Sequence, residues 1–139
     1  MAVVAAAIAI AACHRSATVS SPTPSGTGAA AAAKATGLPS SVTTAMIDSG
    51  KTLFAAASCA RCHGAGGAGG QNGPKLSDST WVQIDGSYDA IVNLIHTGVP
   101  AANIKGGYRF NMRPMGGGTF TDDQVKMIAA YVYTLSHPR

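Results

Sequence analysis

No glutamate occurs in these 139 residues, and charged side chains of both signs make up only 12% of the chain. All six acids are aspartate, and ten Lys and Arg leave a formal net charge of +4. Within 41–139 eight basic residues stand against six acids, a balance of +2 with neither sign clustered. That field is too mild and too scattered for a nucleic-acid binder. Aromatics are scarce as well, at 6%, and all eight fall between Phe54 and Tyr133. The folded unit is therefore expected over 41–139, one domain with a modest core. The N-terminal apolar run, 1–12, is too short to cross a bilayer as a helix. Cysteine is limited to Cys13, Cys59 and Cys62, and histidine to four positions. With no second pair at ligand spacing, the four-ligand set of a structural zinc site is missing.

Two of those cysteines carry the strongest signal. Residues 59–64 read Cys-Ala-Arg-Cys-His-Gly. A Cys-x-x-Cys pair alone serves redox and zinc chemistry too. Histidine directly after the second cysteine makes it a c-type haem attachment site. Each thiol adds across one haem vinyl group as a thioether, and His63 supplies the proximal nitrogen to iron. A thioredoxin-like pair would need a preceding strand, whereas 42–58 has helical spacing, with Ile47, Gly50 and Phe54 on one face. The last turn of that helix is expected to deliver Cys59, Cys62 and His63.

Residues 64–73 are glycine-rich and contain a formal Gly-x-Gly-x-x-Gly at Gly64, Gly66 and Gly69. With no strand before it, the nucleotide-binding reading fails. Such a loop instead allows backbone to pass close to a flat cofactor. Ser87 can N-cap a helix through about Thr97, stopped by Gly98 and Pro100, with Ile91, Leu94 and Ile95 as its apolar face. Residues 99–119 lack periodicity and read as a long functional loop. A last helix begins at Thr121, where Gln124 offers a capping box and Asp122 and Asp123 suit the positive helix end. Its buried stripe is Val125, Ile128, Ala129, Val132 and Leu135.

The run 1–12 suits the apolar region of a signal peptide, although no Lys or Arg precedes it. Ile10-Ala11-Ala12-Cys13 resembles the bacterial lipobox. The resemblance implies cleavage before Cys13 and lipidation of Cys13, an anchor of two or more acyl chains. Residues 13–40 are rich in Ser, Thr, Pro, Ala and Gly and read as a flexible tether. A coil of that length holds the domain about 25–35 Å from the membrane.

Taken together, residues 42–136 resemble a small single-haem class I c-type cytochrome of bacterial type. The pieces are Gly50 and Phe54 in a first helix, the Cys-x-x-Cys-His motif, Gly73-Pro74-x-Leu76, a middle helix ending Gly98-Val99-Pro100, a methionine loop, and Ala-Tyr-Val in the final helix. The resemblance implies an all-α cytochrome c fold of three to five helices around one covalently attached haem c. It implies that Gly50 and Phe54 meet Tyr131, and that the Pro74 carbonyl lies at the free nitrogen of His63. The family's sixth ligand is a methionine in a Met-Pro-x-x-Gly pattern, and this chain reads Met112-Arg113-Pro114-Met115-Gly116. Counting back from Gly116 gives Met112, with Arg113 in the proline's place, and counting from Pro114 gives Met115. Met112 is the expected ligand and Met115 the alternative. Met46 and Met127 read as core. His96 falls off the apolar face of its helix and reads as solvated, while His14 and His137 lie near the chain ends.

The resemblance also implies an electron carrier without catalytic residues. It would be a monomer on the periplasmic side of the cell envelope, tethered by lipid. It would meet redox protein partners transiently, between a dehydrogenase or quinol-oxidising complex and an oxidase or reductase. The rims of its haem edge are expected at 64–73 and 99–119, with Lys75, Lys105, Arg109 and Arg113 steering an acidic partner. The alternatives are a cytochrome subunit of a larger redox enzyme, or a small-ligand sensor with an open sixth position.

Overall fold

A computed structural model describes residues 37–138. The expected signal peptide 1–12, Cys13 and tether residues 14–36 lie outside the described residues. Four helices run α1 Thr44–Ala56, α2 Cys59–His63, α3 Tyr88–Thr97 and α4 Asp122–Ser136. Among the described residues no strand forms. The nearest approach to one is a single antiparallel bridge between Val99 and Met112.

The helix ends follow local chemistry. Thr43 caps α1 by accepting from Met46 N–H, and Ser87 caps α3 by accepting from Ala90 N–H. At α4 the capping box is complete, with Gln124 N–H on Thr121 Oγ1 at 3.3 Å and Thr121 N–H on Gln124 Oε1 at 3.0 Å. Gly98 ends α3 at φ 67°.

α1 packs most extensively on α4, and α3 joins from the side. Gly50 is buried against the Met127 carbonyl, and Phe54 meets Tyr131 edge-on with ring centroids 5.5 Å apart. The expected contact with Tyr131 is thus made by Phe54, while Gly50 faces Met127, one turn earlier on α4. α4 is buried beyond one stripe, because Ala129, Ala130, Tyr131, Val132 and Tyr133 are all covered in succession. Packing onto this core begins at Leu38 and Val42.

The first helix differs from the expectation of one continuous 42–58 segment. It stops at Ala56, Ala57 is extended (φ −92°, ψ 177°), and the chain restarts as the five-residue α2. No proline or glycine stands there. The adjoining Ser58 instead hydrogen-bonds across to the Gly116 carbonyl, a tertiary tie that helical periodicity does not register.

Candidate functional site

α2 carries Cys59, Cys62 and His63 on a single turn and a half, and all three line a cavity of about 510 Å³. Phe54 of α1, Ile91 and Ile95 of α3, Ile128 and Val132 of α4, and Leu76 form apolar walls. A hollow of this size, apolar with a few polar groups, has the character of a cofactor site. Both thiols are free. Burial pushes the Cys59 thiol above its ordinary value, against a backbone hydrogen bond that lowers it, and the neighbouring Cys62 adds to the rise. Cys59 is therefore held as the neutral thiol.

His63 is oriented from behind. Its Nδ1 lies 2.9 Å from the Pro74 carbonyl oxygen. A carbonyl only accepts, so Nδ1 carries the proton and Nε2 keeps its lone pair. Burial lowers the His63 pKa, and the Pro74 bond partly offsets that, so the neutral imidazole a metal needs is the favoured form. Gly73 makes the approach possible. A Cβ there would stand 3.1 Å from the Cys62 oxygen and 3.3 Å from His63 Cε1.

Across the cavity the wall is built by the loop after α3. Val99 N–H donates to the Met112 carbonyl at 2.6 Å, and Gly98 lies so close beneath that carbonyl that a Cβ would collide with it. Met112 is half-buried, packs against the core and lines the cavity. Met115, in the left-handed region at φ 52°, is not on the wall. His96 is not on it either, lying 3.9 Å from Asp122 with its side chain 30% exposed. His137 stacks on Tyr133, centroids 3.9 Å apart.

The glycine-rich loop departs from its expected place. Of residues 64–73 only Asn72 and Gly73 reach the cavity. The chain turns back after α2 through Gly69 N–H on the His63 carbonyl (2.6 Å) and Leu76 N–H on the Gly67 carbonyl (2.8 Å). The loop thus packs against Leu76 and Leu135 of α4, and its far end meets the second rim where Arg109 N–H donates to Gln71 O at 3.1 Å.

Arg61, Ser58 and Trp81 are among the wall residues that escaped the sequence reading. Arg61 joins Lys75 and Arg113 there, and no carboxylate side chain does. Lys105 and Arg109 stay off the wall, and Lys75 is partly committed to Asp78 at 3.5 Å. Ser58 lines the cavity beside Cys59. Trp81 lines it too, and its indole nitrogen is buried without a hydrogen-bond partner among the described residues. Such an orphan costs about 1–3 kcal/mol. Haem brings what the hollow lacks, namely a flat apolar body for the walls and propionate carboxylates for a donor like Trp81. The residues present fit the group, with Cys59 and Cys62 to bond it and His63 to ligate iron.

The family model described as Cytochrome c matches residues 47–136. The Cbb3-type cytochrome c oxidase subunit CcoP of Rubrivivax gelatinosus is 38% identical over 87 residues, 63% of this chain and 25% of that protein. The corresponding subunit FixP of Sinorhizobium medicae (strain WSM419) is 37% identical over 90 residues, 65% of this chain and 30% of its own. The matched part thus spans under a third of either relative. Among solved structures, cytochrome cL of Methylophaga aminisulfidivorans aligns with TM-score 0.49 at 27% identity, over 64% of this chain and 52% of that one.

Proposed function

This chain belongs to the cytochrome c family, an electron-transfer protein with covalently bound haem c, and from that premise we propose a one-electron carrier of the bacterial cell envelope whose iron is held by His63 and Met112. The observation that carries the ligand pair is the shared cavity, into which α2 brings both cysteines and His63 while the loop after α3 brings Met112. Haem supplies a single-electron couple, and methionine ligation raises its potential. The protein's part is to fix the His63 tautomer through Pro74, exclude water with the apolar walls, and offer Trp81 N–H to a carboxylate. Lipidation at Cys13 and a periplasmic position complete the reading, on the strength of 1–40.

The docking edge of this carrier is basic. Arg61, Lys75 and Arg113 stand on the cavity wall, Lys75 with Asp78 at 3.5 Å, and Phe110, also on the wall, is 55% exposed with Arg109 at 6.0 Å from its ring. An acidic redox partner, met transiently, suits that edge.

The test is the optical spectrum of the oxidised protein. The weak long-wavelength band of methionine sulfur on ferric iron is expected in the wild type and in Met115→Ala, and is lost in Met112→Ala. A band that survives Met112→Ala overturns the ligand assignment. A second reading has its own support, since the oxidase subunits CcoP and FixP match this chain over a quarter to a third of their length. The chain would then serve as the cytochrome component of a terminal oxidase. Co-purification of an oxidase core in stoichiometric amount would establish that role.

A further inference from the structure

The loop that carries Met112 is tied at two points. Upstream, Val99 N–H holds the Met112 carbonyl at 2.6 Å. Downstream, the hydroxyl of Ser58 donates to the carbonyl of Gly116, 58 residues away in sequence. Between these points the chain makes a 3₁₀ turn at Pro114–Gly117, in which Met115 (φ 52°) and Gly116 (φ 62°) both take left-handed backbone. A non-glycine residue in that region is strained and persists only when its surroundings hold it. Gly118 N–H on Met115 O and Gly116 N–H on Arg113 O close the turn on itself. The Ser58 hydrogen bond anchors it to another element. Ser58 is the residue before Cys59, and a Cβ at Gly116 would stand 3.3 Å from Ser58 Oγ and 3.7 Å from Cys59 Sγ.

We propose that Ser58 is a positioning residue for the sixth ligand: its hydroxyl latches the Met112 loop to the haem-attachment helix, and so sets how readily an external ligand displaces the methionine. The proposal rests on the reading of Met112 as ligand. It acts through the loop, because Ser58 reaches Gly116 and not Met112 itself. It also fits the break at Ala57, whose extended backbone separates α1 from α2 next to the residue that reaches the loop.

The experiment compares full-length holoprotein of the wild type, Ser58→Ala and Ser58→Thr. Each ferric protein is titrated with imidazole while the methionine–iron band is followed, and each is unfolded in guanidinium. Losing one hydrogen bond from the loop should tighten the apparent imidazole affinity of Ser58→Ala about threefold to tenfold. Ser58→Thr keeps the hydroxyl and should stay within about twofold of wild type. A merely structural role lowers the denaturation midpoint and leaves imidazole affinity unmoved, which overturns the latch. Equal tightening in both variants overturns it too, since the hydroxyl is then not responsible. Absence of the band from the wild type defeats the ligand reading itself, and is distinguishable because it appears before any substitution.

Discussion

Gly50 of α1 lies against the backbone carbonyl of Met127 in α4 with no space for a Cβ between them. Alanine there would gain about 0.5–1 kcal/mol of helix propensity. It would also force apart two helices whose contact is backbone on one side, and overpacking of this kind costs about 1–3 kcal/mol or more. The second effect wins. Gly50→Ala is expected to lower the guanidinium midpoint of the holoprotein. An unchanged or raised midpoint would mean that the helices separate freely at this crossing.

Met115 offers the opposite case. Its left-handed backbone is one that glycine adopts without strain. Met115→Gly should stabilise the fold by up to about 1 kcal/mol and leave the methionine–iron band intact. Loss of the band in this variant would make Met115 the ligand.

Trp81 N–H is a buried donor with no hydrogen-bond partner among the described residues. If a haem propionate accepts it, that bond favours the ionised carboxylate and keeps its pKa low. A carboxylate that ionises stabilises ferric iron, so the reduction potential falls as pH rises through its pKa. In Trp81→Phe the fall should occur at a pH higher by about one unit. Potentiometry against pH would show it, and an unmoved profile would place the acceptor elsewhere.

Asp85 accepts from both Ser87 N–H at 3.0 Å and Ser87 Oγ–H at 2.8 Å, and these bonds hold its carboxyl below the usual value. A folded pKa below the unfolded one means stability that is present above the unfolded value and lost as pH falls through the folded one. Asp85→Asn should therefore flatten the fall of the thermal midpoint on the acid side of the ordinary aspartate range. The carboxyl is fully exposed, so the difference will be small.

Local chemistry was readable in advance. The Cys-x-x-Cys-His motif, Ser87 and Gly98 bounding α3, and the Thr121–Gln124 box each act within four residues or with one neighbour. The near side of the site followed from the family resemblance, which put Pro74 behind His63. What escaped was tertiary. The break at Ala57 has no breaker residue, and the Ser58–Gly116 tie spans 58 positions. The glycine-rich loop was expected beside the cofactor because glycine permits close approach. Most of its glycines instead serve its own turning, with positive φ at Gly64, Gly66, Gly67 and Gly69. Composition reports that freedom without saying what uses it.

The cavity has a further consequence. Its walls come from all four helices and from the loop after α3, so the largest apolar surfaces of the domain meet across the place where haem belongs. A chain without haem is left with a hollow of about 510 Å³ where its centre should be. Resistance to proteolysis is thereby expected to gauge cofactor loading.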